Sequence, residues 1–447
     1  MPRPKFEVIT EEAPERAILV GIDRGNADWP LRESMAELER LANTAGAEVV
    51  HTMSQRLDAP NPRTFIGAGK AEELARCVHD LHADVVILDD ELSPSQQSNL
   101  ERIVGKPVKV IDRTALILDI FALHATSREG RLQVKLAQNQ YLYPRLRGMW
   151  SHLAAHRMGG GVGSRFGEGE SQLEVDRRLV RKRIGRIRRE LANLESSRNT
   201  QRKHRASSGV FRVALAGYTN AGKSSLMNAL TDSDVLAYDK LFATLDSTTR
   251  ALELPGSSKV TLTDTVGFIQ KLPHNLVEAF HSTLDEIREA DLVLLVVDAA
   301  SPQRAAQLKA VQDVLGQIGA SGIPRIVVFN KIDLIEHDCI AELERLRVLH
   351  PDAAFISAKT GSGIEDLLVR LESEVASRYT PMSVRIPYDQ GRYVTIAHEQ
   401  ARVAHESYEA DGIYLQVCLP ANLAKQFRQF EMETEGLVAP EQTGDDA

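Results

Sequence analysis

The chain has 447 residues, of which 43% are hydrophobic and 26% charged, with three cysteines and a net charge of −8. That length suits about three domains with sizeable cores. It contains no run of eighteen apolar residues that could cross a membrane, and its first residues lack the apolar core of a signal peptide. Cys77, Cys339 and Cys418 are odd in number and far apart, so they read as buried side chains in a reducing compartment rather than as a disulfide framework or a metal site.

In the first 125 residues strand-like and helix-like patterns alternate. Apolar runs at Ala17–Ile22, Glu48–His51, Asp84–Leu88 and Val108–Ile111 read as strands. Leu31–Leu41, Lys70–Leu81 and Pro94–Val104 read as helices between them. This alternation predicts a small parallel sheet with crossover helices. The loop Asn61 to Lys70 opens a helix and contains two glycines. Its backbone N–H groups could meet a phosphate, although the full phosphate-loop pattern is missing.

Two apolar stripes follow, Leu132, Leu136, Tyr143, Leu146, Trp150 and Leu153, then Leu173, Val180, Ile184, Ile187, Leu191 and Leu194. Three-four spacing predicts two helices packed as an antiparallel hairpin. Its tip is Gly159 to Gly169, with six glycines in eleven residues. Within the tip, Arg165 and Phe166 suit phosphate contact and base stacking. The second helix is strongly basic: Arg177 to Arg205 holds twelve Lys/Arg, Arg181 and Arg188 among them, against Glu190 and Glu195. This net of +10 inside an acidic chain predicts a polyanionic partner, met through charge and shape rather than base reading.

From Phe211 a strand runs into Gly217-Tyr218-Thr219-Asn220-Ala221-Gly222-Lys223-Ser224 and then, from Ser225, a helix. This is the phosphate-loop pattern: backbone N–H groups cradle the β-phosphate, Lys223 reaches the β- and γ-phosphates, and the Ser224 hydroxyl ligates Mg²⁺. The next strand ends in Asp264-Thr265-Val266-Gly267. Asp264 is placed to hold Mg²⁺ through water, and the Gly267 N–H to sense the γ-phosphate. Another strand ends in Asn330-Lys331-Ile332-Asp333. The Asp333 carboxylate can accept from guanine N1–H and the 2-amino group, whereas adenine would leave it unpaired. Ser357-Ala358-Lys359 follows a fourth strand and offers the Ala358 N–H to guanine O6. Four such motifs in this order predict a P-loop GTPase.

The first switch should lie between Leu230 and Lys259 and present a Thr to Mg²⁺. Phe242-Ala243-Thr244-Leu245-Asp246 is the candidate stretch with Thr244 as ligand, while Thr248 and Thr249 remain competitors. After Gly267, where a Gln would orient the attacking water, stands Phe268. The catalytic water-positioning group is therefore not identified, and hydrolysis should be slow unless a partner completes the site.

The last 67 residues read as a strand at Ser383–Ile386, a helix at Gly391–Glu399, a hairpin around Ala410-Asp411-Gly412 and a helix at Leu423–Phe430. Glu431 to Ala447 holds six acidic and no basic residues, the composition of a disordered tail. The expected fold class is α/β. An N-terminal α/β domain covers 1–125, a helical hairpin with a Gly-rich tip 126–207, a P-loop GTPase domain 208–378, a small C-terminal α/β domain 379–431 and an acidic tail 432–447.

The nucleotide motifs, together with Phe65-Ile66-Gly67-Ala68-Gly69-Lys70, Ile111-Asp112-Arg113-Thr114, Leu118-Asp119-Ile120-Phe121 and the Gly-rich loop followed by Gln172-Leu173-Glu174, resemble the HflX-type ribosome-associated GTPases, a translation-factor-related class. The resemblance covers residues 15 to 375. It implies binding to the large (50S) ribosomal subunit and its rRNA, and splitting or rescue of stalled ribosomes, with the hairpin near the peptidyl-transferase region. Two departures stand out. The tip reads Phe166-Gly167-Glu168-Gly169-Glu170 where the family commonly has a Gly-Pro-Gly-Glu element, and Ser247 stands where a Pro is usual.

The expected ligands are GTP and GDP with Mg²⁺, in a monomer without stable membrane insertion. Localisation reads as cytoplasmic, and a peripheral place at a membrane stays open because the basic helix could meet anionic lipid. The rival reading is a nucleotide-gated adaptor that regulates a protein or membrane partner, with hydrolysis as a timer. A tRNA-modifying GTPase would need a nucleophile or cofactor site, and the scattered His and Cys show no such spacing.

Overall fold

The computed structural model describes residues 13–25, 29–156, 166–206, 210–231, 242, 246–256, 259–271, 281–335, 340–377 and 379–432. In the N-terminal part β1 (Arg16–Asp23), α1 (Leu31–Thr44), β2 (Glu48–Arg56), α2 (Ala68–Asp80), β3 (Val85–Leu88), α3 (Pro94–Val104) and β4 (Lys109–Asp112) alternate as the sequence predicts. The strands form a parallel sheet in the order β2-β1-β3-β4. Period-two alternation sends Leu19 and Ile87 to one face and Ile18, Val20, Val86 and Leu88 to the other, and both faces are buried. Ser93 starts α3 with a capping box closed by Gln96 and with Pro94 at the first position. α4 (Arg113–His124) leaves the sheet at β4, its N-terminus capped by Asp112.

The hairpin consists of α5 (Arg128–His156) and α6 (Phe166–Ala206). The expected tip differs in one respect: α6 begins at Phe166, so Phe166 to Gly169 are helical rather than loop. Tip residues 157–165, Arg165 included, lie outside the described residues. The stripe on α5 also departs from expectation. Among its described side chains Gln133, Val134, Ala137 and Arg145 are buried, as is Gly130, whereas Leu132 and Leu136 are half-buried. The reason is a second neighbour. Val134 and Ala137 join a core shared with β1, α1 and α4, and the Arg145 guanidinium donates to Leu92 O (2.6 Å) and Asp112 Oδ2 (3.2 Å).

The nucleotide-binding part contains β5 (Phe211–Gly217), α7 (Lys223–Thr231), β6 (Thr248–Glu253), β7 (Lys259–Asp264), α8 (His281–Arg288), β8 (Leu292–Asp298), α9 (Arg304–Gln317), β9 (Arg325–Asn330), α10 (Ile340–Leu349), β10 (Ala354–Phe355) and α11 (Ile364–Ser377). Its sheet runs β10-β9-β8-β5-β7-β6, with β5, β8, β9 and β10 parallel. The chain divides into two compact units, 1–196 with 213–250 and 262–362, and 197–212 with 251–261 and 363–447. In the first, one apolar core runs from Leu19, Leu38 and Phe121 through Val134 to Ala216, Tyr218, Phe242 and Phe268.

The second unit includes an antiparallel sheet in the order β11-β13-β12, built from β11 (Tyr379–Ile386), β12 (Arg402–Glu409) and β13 (Gly412–Pro420). Together with α12 (Arg392–Gln400) and α13 (Ala421–Phe427) it encloses Val384, Ile386, Ala397, Leu415, Leu419 and Phe427. The predicted last helix is α13 followed by a 3₁₀ turn at Arg428–Phe430. Tail residues 433–447 lie outside the described residues. Cys77 and Cys418 are free and half-buried rather than buried, and Cys339 is outside the described residues. Among the described residues no helix is long and apolar enough to cross a membrane.

Candidate functional site

The phosphate loop leaves β5 at Gly217 and enters α7 at Lys223. Gly222 takes φ +92°, and a Cβ there would collide with Asn330 Nδ2, so no other residue fits the curl. Lys223 is buried, and its Nζ donates to Gly217 O (3.2 Å) and Tyr218 O (3.0 Å). Burial brings its pKa down to about 8, against the opposing pull of Asp264. The Ser224 hydroxyl donates to Asp264 Oδ2 at 2.7 Å. The two side chains expected to flank a cation are therefore adjacent, and both offer the hard oxygens that Mg²⁺ takes. Ser225 follows on α7, and Thr265, fully buried, donates to Leu215 O (2.7 Å). Val266 and Gly267 are buried beside the loop, and a Cβ at Gly267 would collide with Thr219.

The guanine-side motifs converge through Asn330. Its Nδ2 donates to Ala221 O (2.9 Å), and its Oδ1 accepts the Ala358 N–H (3.0 Å). The Ala358 N–H, expected to face guanine O6, is thus engaged by Asn330, whose amide ties the phosphate loop to the Ser357 loop. Ser357 donates to Asp333 Oδ1 (2.6 Å), which orients the carboxylate expected to read guanine. Lys331, at φ +65°, pairs with Asp298 (2.8 Å); Ile332 is half-buried and Lys359 exposed.

The first-switch stretch is described only at its ends; Ala243, Thr244 and Leu245 lie outside the described residues. Phe242 is buried edge-on against Phe121 of α4. Asp246 accepts from Thr126 and Ser127. The competitors Thr248 and Thr249 lie in β6, where the Thr249 hydroxyl meets that of Thr263 at 3.0 Å. Phe268 is 2% exposed, and its backbone joins the phosphate loop: Thr219 N–H donates to Phe268 O (2.7 Å) and Phe268 N–H to Gly217 O (3.1 Å).

Three family descriptions match the chain in order: GTP-binding GTPase N-terminal over 32–122, GTP-binding GTPase middle region over 124–205, and 50S ribosome-binding GTPase over 212–331. The GTPase HflX of Caldanaerobacter subterraneus is 46% identical over 93% of this chain and 94% of its own length. That of Escherichia coli is 43% identical over 92% and 94%. The chain belongs to the HflX GTPase family. A crystal structure of a GTP-binding protein from Sulfolobus solfataricus in complex with GDP is similar over 81% of this chain and 99% of that one, at 24% identity and a TM-score of 0.44.

As an HflX-family GTPase the chain binds and hydrolyses GTP, and the sequence motifs are the candidate site for that chemistry. What they missed is a buried charge network between the N-terminal sheet and the nucleotide loops. Arg113, 1% exposed, donates to Glu37 Oε1 (2.6 Å) and Asp89 Oδ1 (2.7 Å). Lys271 pairs with Asp89 (2.6 Å) and Asp90 (2.8 Å). The Tyr218 hydroxyl donates to Glu37 Oε2 (2.5 Å) and accepts the Gln270 N–H (2.7 Å). Tyr218 therefore directs its side chain to the N-terminal domain. Burial and the Glu37 carboxylate push its pKa well up. Charged residues at the ends of apolar strands, Asp89 after β3 and Arg113 after β4, were the signal available in the sequence.

In the HflX hairpin, Arg181 Nε donates to the Tyr143 hydroxyl (2.6 Å), with Arg188 exposed nearby along a groove of about 330 Å³. Phe166 is the first residue of α6. In the N-terminal loop, Gly67 N–H donates to Gln55 Oε1 (2.8 Å) and Lys70 pairs with Glu73 (2.8 Å). The Gly67 N–H and the Lys70 ammonium are thus engaged within the domain.

Proposed function

We propose that this GTPase is a switch that binds the large ribosomal subunit through its basic hairpin and, in the GTP form, splits or rescues stalled ribosomes. The observation that carries the reading is the presence of the guanine-nucleotide motifs and of the arginine-rich helix α6 as far as Ser196 in one compact unit. The family description of the nucleotide-binding part as a 50S ribosome-binding GTPase supports it. In this reading Gly217 to Ser224, Lys223 among them, hold the phosphates, Asp333 selects guanine, and Asn330, which engages the Ala358 N–H, supports the base and its loop. Ser224, Thr244 and, through water, Asp264 would hold Mg²⁺, which would offset charge on the β- and γ-phosphates. Phe268 supplies no hydrogen bond to a water, so turnover by the protein alone is slow and the ribosome completes the site.

The test is GTP turnover with and without purified large subunits at two salt concentrations. Stimulation that fades at the higher salt is expected, because contacts to phosphate release counterions. Turnover that large subunits leave unchanged would overturn the reading in favour of a protein- or membrane-directed adaptor.

A further inference from the structure

The junction between α4 and α5 receives the first-switch stretch at two points. At the far end of that stretch, Asp246 Oδ2 accepts the Thr126 N–H (2.9 Å), the Thr126 hydroxyl (2.7 Å) and the Ser127 N–H (2.6 Å), while Oδ1 accepts the Ser127 hydroxyl (2.5 Å). Ser127 in turn caps α5, its Oγ accepting the Gly130 N–H at 2.8 Å. The carboxylate is thus clipped to the residue that starts the first helix of the arm, where the helix dipole also favours it. The fit is close: a Cβ at position 130 would collide with Asp246 Oδ1. Burial alone would raise the Asp246 pKa, but the hydrogen bonds from Ser127 and Thr126 leave it below the usual carboxylate value. At the near end Phe242, at φ +58°, sets its ring edge-on to Phe121 of α4, centroids 4.6 Å apart.

These two anchors bracket Thr244. Four peptide links separate Phe242 from Asp246, so their Cα atoms can be at most about 14 Å apart. Any nucleotide-dependent shift at Phe242 or Asp246 is therefore passed to α4 and to the start of α5. We propose that Asp246 is a positioning residue that couples the nucleotide state of the first switch to the start of the arm, so that GTP and GDP present different arms to RNA. The proposal rests, for its RNA partner, on the function proposed above, but the coupling belongs to this chain alone. It is reciprocal by thermodynamic necessity: whatever engages the arm shifts GTP affinity by the factor by which GTP shifts the arm.

The first experiment needs no ribosome. Hydrogen exchange of the full chain is compared with GDP and with a non-hydrolysable GTP analogue, read over residues 125–131, which contain the Thr126, Ser127 and Gly130 amides. A difference in protection of about 5-fold to 150-fold between the two nucleotides is expected. Gly130→Ala displaces the carboxylate while giving α5 a better helix former, and Thr126→Val removes a hydroxyl donor at nearly constant shape. Both are expected to abolish the difference while keeping the cooperative unfolding of the parent. Equal protection in both nucleotides would reduce Asp246 to a static clip, and a difference that survives in both variants would place the link elsewhere. Either result overturns the proposal. A second measurement separates it from the ribosomal reading: binding of purified large subunits with each nucleotide. Loss of nucleotide discrimination in Gly130→Ala, with binding itself retained, is expected. If the parent binds no large subunits while its exchange still responds to nucleotide, the ribosomal reading fails and the coupling stands.

Discussion

Lys223 shows how burial sets the behaviour of a single residue at the site. An ammonium enclosed by the phosphate loop has lost its water, and two backbone carbonyls replace only part of that solvation. Its pKa near 8 follows. A triphosphate beside it favours the charged form, so GTP binding should take up a proton above that pH. The sign is fixed: rising pH deprotonates the free protein but not the complex, and affinity falls. A loss of about tenfold between pH 7 and pH 9 is expected. Titration calorimetry in two buffers of different ionisation heat should find close to one proton absorbed per GTP at pH 9, and identical heats would show that Lys223 keeps its proton. Phe268 stands at the opposite extreme. Its side chain is packed in the core, and only its backbone N–H and carbonyl take part, as a bridge to Gly217 and Thr219. A retracted aromatic there offers no side-chain hydrogen bond to an attacking water.

At the scale of elements, the strand ends after β3 and β4 meet the segment following Asp264-Thr265-Val266-Gly267 through Arg113. This guanidinium serves Glu37, Asp89 and Ser34 O (3.0 Å) at once. Arg113→Ala should cost about 3–5 kcal/mol, because it takes the guanidinium from two buried carboxylates, leaving Glu37 to the Tyr218 hydroxyl and Asp89 to Lys271. Arg113→Lys, which keeps the charge and loses the fork, should cost less. Denaturant unfolding would rank the two, and equal losses would show that packing rather than charge dominates. Burial would raise the Asp89 pKa, but Arg113 and Lys271 hold it below 3.8. Its share of stability is therefore present above that pH and fades as acid protonates it. The four nucleotide motifs were readable in the sequence because each needs only a strand, a short loop and residues of fixed spacing. The N-terminal alternation was readable for the same reason. Helices α8 to α11 went unread, and so did the Arg113 network, whose members Glu37, Arg113, Tyr218 and Lys271 are brought together only by packing. The α5 stripe misled because that helix serves two neighbours, and no single period describes a helix buried on two sides.

Over the whole molecule, the net charge of −8 conceals a basic arm set on an otherwise acidic chain. An acidic body repels a polyanion, so an RNA partner would be drawn to the arm and its approach oriented by the field. Arg188 is exposed, and Arg181 is held by Tyr143 with its guanidinium at the surface. Reversing both, Arg181→Glu with Arg188→Glu, replaces two attractions by two repulsions without touching the nucleotide site. If both meet phosphates, the slope of log affinity for large subunits against log salt should fall in magnitude by about 1.5, at roughly 0.7–0.9 per contact. The affinity at low salt should drop at least tenfold, since two lost charge-assisted contacts at about 1 kcal/mol or more each exceed one factor of ten. Sedimentation with large subunits over a salt series gives both quantities from one data set. A drop in affinity with an unchanged slope would mean that the pair supports the fold of the arm instead of neutralising phosphate. An unchanged affinity would move the contact surface off this face of α6, toward the end at which Phe166 begins the helix.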